Sequence, residues 1–246
     1  MSKDTVIRLE DVWKIYPMGE VKVEALRGIT LKIGRGEFVA ITGASGSGKS
    51  TMMNLVGCLD KPTRGKIFLD DKDISSMSES RLAEIRGKKI GFVFQQFNLI
   101  PTLTALENVM LPMEFQNLSA SKIKERAKKL MEQVGLGDRM HHKPTELSGG
   151  QAQRVAIARS LANDPEVILA DEPTGNLDSK TGQYIMNFLC EMHEKEGKTV
   201  VMVTHDIELV NFAKRIVKLK DGQIDSDQEG SLALFDNKKD AGGRRK

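Results

Sequence analysis

Residues 43–51 read GASGSGKST, and this short segment constrains the fold more than any other part of the chain. It matches the pattern G-x-x-x-x-G-K-[ST] in full. The apolar run FVAI at 38–41 precedes it, and a stretch compatible with a helix, 51–57, follows it. A glycine-rich turn between a buried strand and a helix is typical of phosphate-binding loops, in which backbone N–H groups point at the phosphates.

Each residue type in this loop has a predicted task. The glycines let the backbone turn and approach a phosphate closely. Lys49 is predicted to place its charge at the β- and γ-phosphates of a nucleoside triphosphate, and Ser50 to offer its hydroxyl to Mg²⁺. The residues predicted to bind the nucleotide here are Gly43, Ala44, Ser45, Gly46, Ser47, Gly48, Lys49, Ser50 and Thr51.

A second apolar run ends in two acidic residues. Residues 167–172 read VILADE, so Asp171 and Glu172 follow a predicted buried strand. In an open α/β sheet this end of the strand lies beside the phosphate loop. We expect Asp171 to hold Mg²⁺, either directly or through another ligand. Adjacent residues at a strand end diverge, so Glu172 is predicted instead to deprotonate an attacking water.

The chain as a whole predicts an α/β fold. Three short apolar runs, at 38–41, 167–170 and 200–203, predict buried strands of a parallel sheet. The helical period of apolar residues over 123–134 ends before Gly135, as expected for a helix with a glycine cap. Segments 6–12 and 66–69 predict strands nearer the amino terminus, and 216–224 predicts a hairpin around Asp221-Gly222.

Domain organisation follows from these elements and from the charge. We predict one domain over 1–230, with a helical insertion at about 96–160, and a flexible basic tail over 231–246. The formal charge is +3 in total, but residues 237–246 hold five cations and one anion, so the rest of the chain carries −1. A near-neutral body with 5% aromatic residues argues against a nucleic-acid partner.

Composition also bears on the compartment. No apolar run exceeds about four residues, so neither a membrane-spanning helix nor a signal peptide is expected. The two cysteines, Cys58 and Cys190, match no metal-binding spacing and suit a reducing compartment.

Residues 147–151 read LSGGQ, between the phosphate loop and VILADE. This order, with Arg154 after the pentapeptide, resembles the ATP-binding cassette family, the ATPase subunits of membrane transporters. The resemblance implies a P-loop NTPase core with a mixed or parallel sheet, an N-terminal antiparallel β subdomain and an inserted helical subdomain. Segments 57–65, 90–112 and 172–182 resemble the lipoprotein-release and macrolide-export branch, whose neighbourhood includes the bacterial cell-division cassette ATPase.

The resemblance also implies roles for single residues outside the loop. Tyr16 matches the aromatic residue that stacks on the adenine of ATP. Gln95 matches the glutamine that contacts Mg²⁺ and the attacking water, with Gln96 as the adjacent alternative. His205 matches the histidine that contacts the γ-phosphate, and Asp178 matches the aspartate that crosses to a second subunit.

The LSGGQ segment implies a dimer. A serine hydroxyl and glycine N–H groups at a helix start form an anion-binding end. In the family this end closes on ATP held by the loop of the other chain, so two ATP molecules lie between two head-to-tail subunits. The residues that the resemblance assigns to this contact are Ser148, Gly149, Gly150 and Gln151.

The resemblance implies an ATP hydrolase that powers an integral membrane permease encoded separately. The enzyme is expected in the cytoplasm, on the inner face of the cell membrane, without direct contact to cargo. The branch favours export, or extraction of lipoproteins or lipophilic cargo, over import. Two alternatives stay open: an ATPase that mechanically gates a membrane partner, and a soluble cassette acting on nucleic acid or ribosomes. The near-neutral body disfavours the second.

Overall fold

The computed structural model describes residues 5–230, which fold around two β-sheets. The strands are β1 (Thr5–Met18), β2 (Val21–Gly34), β3 (Phe38–Thr42), β4 (Arg64–Leu69), β5 (Lys72–Asp73), β6 (Ile90–Val93), β7 (Val167–Asp171), β8 (Thr199–Val203), β9 (Arg215–Lys220) and β10 (Gln223–Glu229). A four-stranded antiparallel sheet has the order β2-β1-β4-β5, and a six-stranded sheet has the order β10-β9-β3-β8-β7-β6. This arrangement confirms the predicted fold class.

Helices connect and cover the strands. Within residues 5–230 they are α1 (Lys49–Val56), α2 (Glu79–Lys89), α3 (Ala105–Glu114), α4 (Ala120–Gln133), α5 (Gly149–Ser160), α6 (Ser179–Glu196) and α7 (Ile207–Val210), with single-turn 3-10 helices at Gly137–Arg139 and Pro144–Glu146. The sequence predicts α1 from the stretch at 51–57 and α4 from the apolar period over 123–134; the alanine-rich stretch after Gln151 predicts α5, and inward apolar residues over 179–195 predict α6. Helices α2 and α3 are not predicted, since neither has a clear apolar period.

The long hairpin of β1 and β2 is the largest element that the sequence pattern does not predict. Alternation over 6–12 predicts one strand, but β1 continues to Met18 and β2 pairs with it along its length. The register shifts between Leu9 and Val12 and again between Val12 and Lys14. Each shift moves the following side chains to the other face of the sheet, so the apolar alternation falls out of step.

The six-stranded sheet contains the three predicted buried strands. Strand β8 lies between β3 and β7, and both pairs are parallel. Strands β9 and β10 form the predicted antiparallel hairpin around Asp221-Gly222. The carboxyl ends of β3, β7 and β8 therefore meet at one edge of the sheet, which positions the residues that follow them.

Two hydrophobic cores lie on opposite faces of this sheet. Along β3, Phe38 and Ala40 belong to one core, and Val39 and Ile41 belong to the other. The first core also takes the buried residues of α3 to α6, and the second takes those of α1, α2 and the antiparallel sheet. Because β3, β7 and β8 bury both faces, each contains a run of four consecutive apolar residues rather than an alternation of apolar and polar ones.

Helices α3, α4 and α5 occupy the chain between β6 and β7, where the insertion at about 96–160 is predicted. The apolar face of α4 is buried as expected, and Gly135 follows the helix with φ 67°. The division into one domain over 1–230 with this insertion stays a prediction, and the predicted basic tail over 231–246 lies outside the described residues. No helix within residues 5–230 is both long and apolar enough to cross a membrane.

Candidate functional site

Two glycines of the loop between β3 and α1 lie where a side chain cannot fit. Gly43 has φ 147°, and a Cβ there would lie 2.2 Å from the carbonyl oxygen of Leu219 in β9. Gly48 precedes α1 with φ 101°, and a Cβ there would lie 2.5 Å from the carbonyl oxygen of Ala25 in β2. A larger residue at either position would push the loop off both strands.

The turn between β9 and β10 is hydrogen-bonded both to the loop and to β2. The backbone N–H of Gly222 donates to the carbonyl oxygen of Ser47 at 3.1 Å, and the carbonyl of Gly222 accepts from Arg27 in β2 at 2.8 Å. The Ser47 side chain is buried, and its hydroxyl has no hydrogen-bond partner among the described residues. The loop is therefore fixed by residues far from it in sequence.

The side chain of Lys49, the first residue of α1, folds back over the loop. The Lys49 ammonium donates to the carbonyl oxygen of Gly43 at 2.8 Å and to that of Ala44 at 2.9 Å. These bonds hold a positive charge beside the amino terminus of α1, where the helix dipole is also positive. An anion placed at this loop would meet both charges.

Asp171 ends β7 and faces the same region. Burial raises the pKa of its carboxyl, and the neighbouring Glu172 raises it further, whereas Lys49 lowers it. The two carboxylates together make this edge of the sheet electronegative next to the cation of Lys49. An added cation would offset the cost of ionising Asp171 in a half-buried position.

Glu172 has an unusual backbone conformation, and three groups contact its carboxylate, which leaves acceptor capacity on its two oxygens. Its φ is 45°, a left-handed value that is uncommon for a residue with a side chain. Its backbone N–H donates to the carbonyl oxygen of Val203 at 2.9 Å. The carboxylate accepts from the Thr204 hydroxyl at 3.2 Å and from the backbone N–H of His205 at 3.1 Å. The His205 Nδ1 atom lies 2.6 Å from the same carboxylate.

Most of the sequence-predicted site residues line one cavity of about 770 Å³. Those that line it are Tyr16, Gly43, Ala44, Ser45, Gly46, Gly48, Lys49, Ser50, Thr51, Gln95, Asp171, Glu172 and His205. The sequence left Gln95 and Gln96 as alternatives for one role, and the structure places them differently. Gln95 lines the cavity and Gln96 does not, while Ser47 is buried behind the loop.

The remaining predicted residues lie outside this cavity, at the amino termini of α5 and α6. Ser148 caps α5: its hydroxyl accepts from the backbone N–H of Gln151 at 3.3 Å, and its own N–H donates to the Gln151 side chain at 2.8 Å. Asp178 caps α6 by accepting from the N–H and hydroxyl of Thr181, at 3.0 and 2.7 Å. The two termini are in contact, since a Cβ on Gly150 would lie 2.4 Å from the Thr181 methyl group.

Sequence reasoning missed four residues that line the cavity: Val23, Glu24, Ala25 and Val203. The first three belong to β2, which the sequence pattern does not predict. Thr204, which holds Glu172, was also missed. No local signal marks the β2 positions, because they reach the site through the packing of strands far apart in the chain. Val203 and Thr204 lie at the end of the predicted strand 200–203, directly before His205, and this position is the signal that could have found them.

The residues at this edge of the sheet fit a Mg²⁺ ion bound together with phosphates. Mg²⁺ usually takes one or two carboxylates, and substrate oxygens and waters complete its shell. Asp171 supplies a carboxylate whose ionisation is disfavoured without a cation, and Ser50 and Gln95 line the same cavity. Within residues 5–230 no group of three or more His, Cys, Asp or Glu side chains forms a metal site of its own.

A glycine-rich loop between a parallel strand and a helix, with a carboxylate ending a nearby strand, defines a P-loop nucleoside triphosphatase. The family model described as ABC transporter matches residues 26–175. An ABC transporter ATP-binding protein of Thermotoga maritima, described as uncharacterized, is 58% identical over 94% of this chain and 98% of its own. The chain therefore belongs to the ABC transporter family, as one of its ATP-hydrolysing cassettes, and the resemblance stated from the sequence is confirmed.

A solved structure and a longer relative are similar to this chain over most of its length. The ATP-binding cassette MJ0796 of Methanocaldococcus jannaschii was solved as a dimer in a post-hydrolysis state bound to ADP and phosphate. It is 51% identical, with a TM-score of 0.86, and the match covers 93% of this chain and 100% of that one. The macrolide export ATP-binding/permease protein MacB of Brucella melitensis is 51% identical over 92% of this chain, which spans 35% of MacB.

Proposed function

We propose that this cassette hydrolyses ATP between two copies of itself, arranged head to tail. The proposal rests on one observation: the predicted nucleotide-binding residues lie at two separate sites on the same chain. The phosphate loop and Glu172 line one cavity, whereas Ser148 and Asp178 lie at an exposed pair of helix termini outside it. A second copy supplies those termini to the ATP of the first, and the dimeric state of MJ0796 supports this arrangement.

Within one copy, the triphosphate binds along the loop. The Lys49 ammonium exchanges its two carbonyl partners for the β- and γ-phosphates, and the backbone N–H groups of the loop donate to the same anion. Ser50, Gln95 and Asp171 hold the Mg²⁺ ion. When bound, this ion neutralises the charge that develops on the phosphates.

Glu172 acts as the general base for the attacking water. Its carboxylate faces the cavity and takes the proton of the water, a contribution worth about 10²–10⁴-fold in rate. The left-handed backbone and the bonds from Thr204 and His205 keep the carboxylate in one position. Because Nδ1–H of His205 donates to the Glu172 carboxylate, only an imidazolium form, which carries a hydrogen on Nε2 as well, would donate to the γ-phosphate.

Tyr16 receives the adenine. Its ring lines the cavity at the side formed by the antiparallel sheet, opposite the carboxylates of the six-stranded sheet. Base–aromatic stacking contributes about 1–3 kcal/mol per base and makes few demands on the identity of the base. Tyr16 therefore adds affinity, whereas the phosphate loop sets the class of ligand.

We propose that a membrane permease docks in a groove beside α2. Its volume is about 920 Å³, and it lies between α2, β6 and the end of α3. Phe115 is 81% exposed and Leu59 is 45% exposed at this groove. Exposed apolar residues around a concave surface mark protein interaction sites. An amphipathic helix of the permease fits such a surface, since charged and amide side chains line the groove beside the apolar ones.

We infer that the permease is a separate chain and that the cassette works on the inner face of the cell membrane. The near full-length match to ATP-binding proteins supports a separate cassette. Similarity to MacB supports export or extraction of lipophilic cargo, with all cargo contacts made by the permease.

The variant Glu172→Gln tests the dimer and the base together. It should retain ATP and Mg²⁺ binding, lose hydrolysis by about 10²-fold or more, and elute as a dimer in size-exclusion chromatography with ATP. The matched control Glu132→Gln changes an exposed carboxylate on α4 and should hydrolyse ATP at the parent rate.

Two results would contradict the proposal separately. Hydrolysis by Glu172→Gln at the parent rate would show that Glu172 is not the base. A variant that binds ATP and stays monomeric at concentrations far above its dissociation constant for ATP would exclude the head-to-tail dimer.

A further inference from the structure

The Tyr16 ring is fixed at its outer end by a carboxylate that the proposed reaction does not use. The Tyr16 hydroxyl donates to Asp60 Oδ2 at 2.9 Å. Tyr16 lies near the end of β1, and Asp60 lies in the loop after α1, 44 residues further along the chain. A hydrogen bond between such distant residues fixes the ring relative to a second element of the fold.

Asp60 is itself held by two further donors. The Lys14 ammonium donates to Asp60 Oδ1 at 2.6 Å, and the backbone N–H of Lys61 donates to the same oxygen at 2.7 Å. Burial acts to raise the pKa of Asp60, but the bonds from Lys14, Lys61 and Tyr16 together hold it below its usual value. Asp60 is therefore ionised at neutral pH and accepts from all three donors at once.

Lys14 also contacts the ring directly. Its ammonium lies 4.8 Å from the centroid of the Tyr16 ring, and its side chain is only 13% exposed. A cation over an aromatic face is attracted to the ring by its quadrupole. With Lys14 on one face, the other face of Tyr16 is left for a base.

Helix α1 connects the phosphate loop to the segment that carries Asp60. Helix α1 begins at Lys49, in the loop, and ends at Val56, shortly before Asp60. The chain after the helix is tied back to it, because the N–H of Leu59 donates to the carbonyl oxygen of Asn54 at 2.9 Å. The helix thereby sets the separation between the charge that meets the phosphates and the carboxylate that holds Tyr16.

We propose that Asp60, supported by Lys14, is a positioning residue of the nucleotide site, which holds the Tyr16 ring in the orientation that stacking on the base requires. Asp60 acts through Tyr16 and does not touch the nucleotide. A ring ordered before binding loses less conformational freedom when the base arrives, so the anchor adds affinity by preorganisation. This inference rests on the proposed stacking role of Tyr16.

The test compares ATP with inorganic tripolyphosphate, which has the phosphates but no base. Asp60→Ala and Tyr16→Phe each remove the hydrogen bond, and each should weaken ATP binding roughly three- to tenfold. Tripolyphosphate binding should be unchanged. The KM for ATP should rise while kcat is retained. Because both changes break the Tyr16–Asp60 hydrogen bond, the double variant should lose less affinity than the sum of the two single losses.

Asp164→Ala is the matched control. Asp164 is also paired with a lysine, Lys198 at 2.6 Å, but it does not line the cavity. Its replacement should leave binding of both ligands unchanged. Thermal unfolding of each variant reports whether the fold is retained, and Tyr16→Phe keeps the ring and the carboxylate in place if Asp60→Ala does not fold.

Three outcomes overturn the inference, and they can be told apart from failure of the proposed function. If Asp60→Ala weakened the binding of ATP and of tripolyphosphate equally, Asp60 would stabilise the fold rather than position Tyr16. Full ATP affinity in both Asp60→Ala and Tyr16→Phe, with a loss in Tyr16→Ala, would overturn the inference alone. Full ATP affinity in Tyr16→Ala would overturn the stacking role as well.

Discussion

The side chain of Lys49 is ordered before any phosphate reaches it. Two carbonyl oxygens of its own loop accept its ammonium protons, so the charge already lies where an anion would bind. A flexible lysine otherwise loses about 1.5–2 kcal/mol of conformational entropy when it is immobilised. Little further entropy is therefore lost when the ammonium exchanges these carbonyl oxygens for phosphate oxygens, although the exchange also gives up its two existing hydrogen bonds.

Replacement of Lys49 by alanine should therefore remove binding of both ATP and tripolyphosphate. Loss of two hydrogen bonds to a charged group, at about 1.5–3 kcal/mol each, corresponds to a weakening of about 10²-fold or more. Isothermal titration calorimetry measures both constants. The control Lys72→Ala, an exposed lysine in β5, should bind as the parent does. Unchanged affinity in Lys49→Ala would remove the phosphate role of the loop.

Glu172 shows a different residue-scale feature, a strained backbone. A left-handed φ costs a residue with a side chain about 1–3 kcal/mol and persists only where surrounding contacts enforce it. Here the carbonyl of Val203 and the side chains of Thr204 and His205 supply those contacts. The strain directs the carboxylate of Glu172 into the cavity, while Asp171 beside it keeps regular strand geometry as the last residue of β7.

At the scale of elements, the amino termini of α5 and α6 serve the fold and the proposed dimer at once. Ser148 and Asp178 both satisfy backbone N–H groups of their own helices. Such caps contribute about 1 kcal/mol each to stability. Loss of activity after an alanine substitution at Ser148 would therefore not separate a weaker helix from a weaker dimer.

A change that keeps the cap and reverses the electrostatics separates the two. Ser148→Asp retains a good capping residue but places a negative charge where the phosphate of the other copy would bind. In the Glu172→Gln background it should unfold at a temperature close to that of the parent and should not form the ATP-dependent dimer. Thermal unfolding and size-exclusion chromatography measure these two properties.

Ser78→Asp provides the matched control, because Ser78 caps α2 by accepting from the N–H of Arg81. The same chemical change at that helix should leave the ATP-dependent dimer intact. Dimer formation by Ser148→Asp at the parent affinity would show that Ser148 does not meet a phosphate.

At the scale of the whole molecule, an ion cluster joins the two sheets. Asp70 follows β4 of the antiparallel sheet and accepts from Arg35 at 2.8 Å and from Lys89, the last residue of α2, at 3.0 Å. Lys89 also contacts Glu166, just before β7, at 2.8 Å, and Arg35 pairs with Glu166 as well. Four charges from four segments therefore bind the sheets together at the edge away from the cavity.

This cluster predicts a pH-dependent contribution to stability. The hydrogen bond from Lys89, and then that from Arg35, hold the pKa of Asp70 below its usual value against the effect of burial. A lowered pKa stabilises the fold above the unfolded-state pKa of about 3.9, and this stabilisation is lost as the pH falls through the lower folded-state pKa. The Asp70 side chain is 35% exposed, so solvent limits the effect to about 1 kcal/mol.

Asp70→Asn should accordingly be less stable than the parent at pH 7 by up to about 1 kcal/mol, and the difference should shrink as the pH falls below the unfolded-state pKa of about 3.9 and through the lower folded-state pKa of Asp70. Urea unfolding at several pH values measures the difference. Asp138→Asn changes an exposed aspartate whose ion-pair partner within residues 5–230 is Arg139 at 3.4 Å, and it should match the parent throughout. A difference for Asp70→Asn that does not shrink with falling pH would exclude the electrostatic explanation.

Much of the fold was predictable because its signals are local. The loop at 43–51 needs a strand before it and a helix after it, and both are present as β3 and α1. Strands buried on both faces are continuous apolar runs, and α4 shows a clear helical period. The β1–β2 hairpin was not predictable, since its register shifts break the alternation. Most of the residues assigned to the cavity were named from motifs, but their chemical roles stay predictions.

The sequence by itself determined that this chain is a P-loop protein of the ATP-binding cassette type, because motif residues and their order persist whatever surrounds them. Only the tertiary structure decided which residues meet. It brought Asp60 to Tyr16, Thr204 and His205 to Glu172, and β2 to the wall of the cavity. The physical reason is that backbone preference and periodic burial act over a few residues. The contacts of Asp60 and of Glu172 join residues 32 to 44 positions apart, and the place of β2 depends on strand order and register.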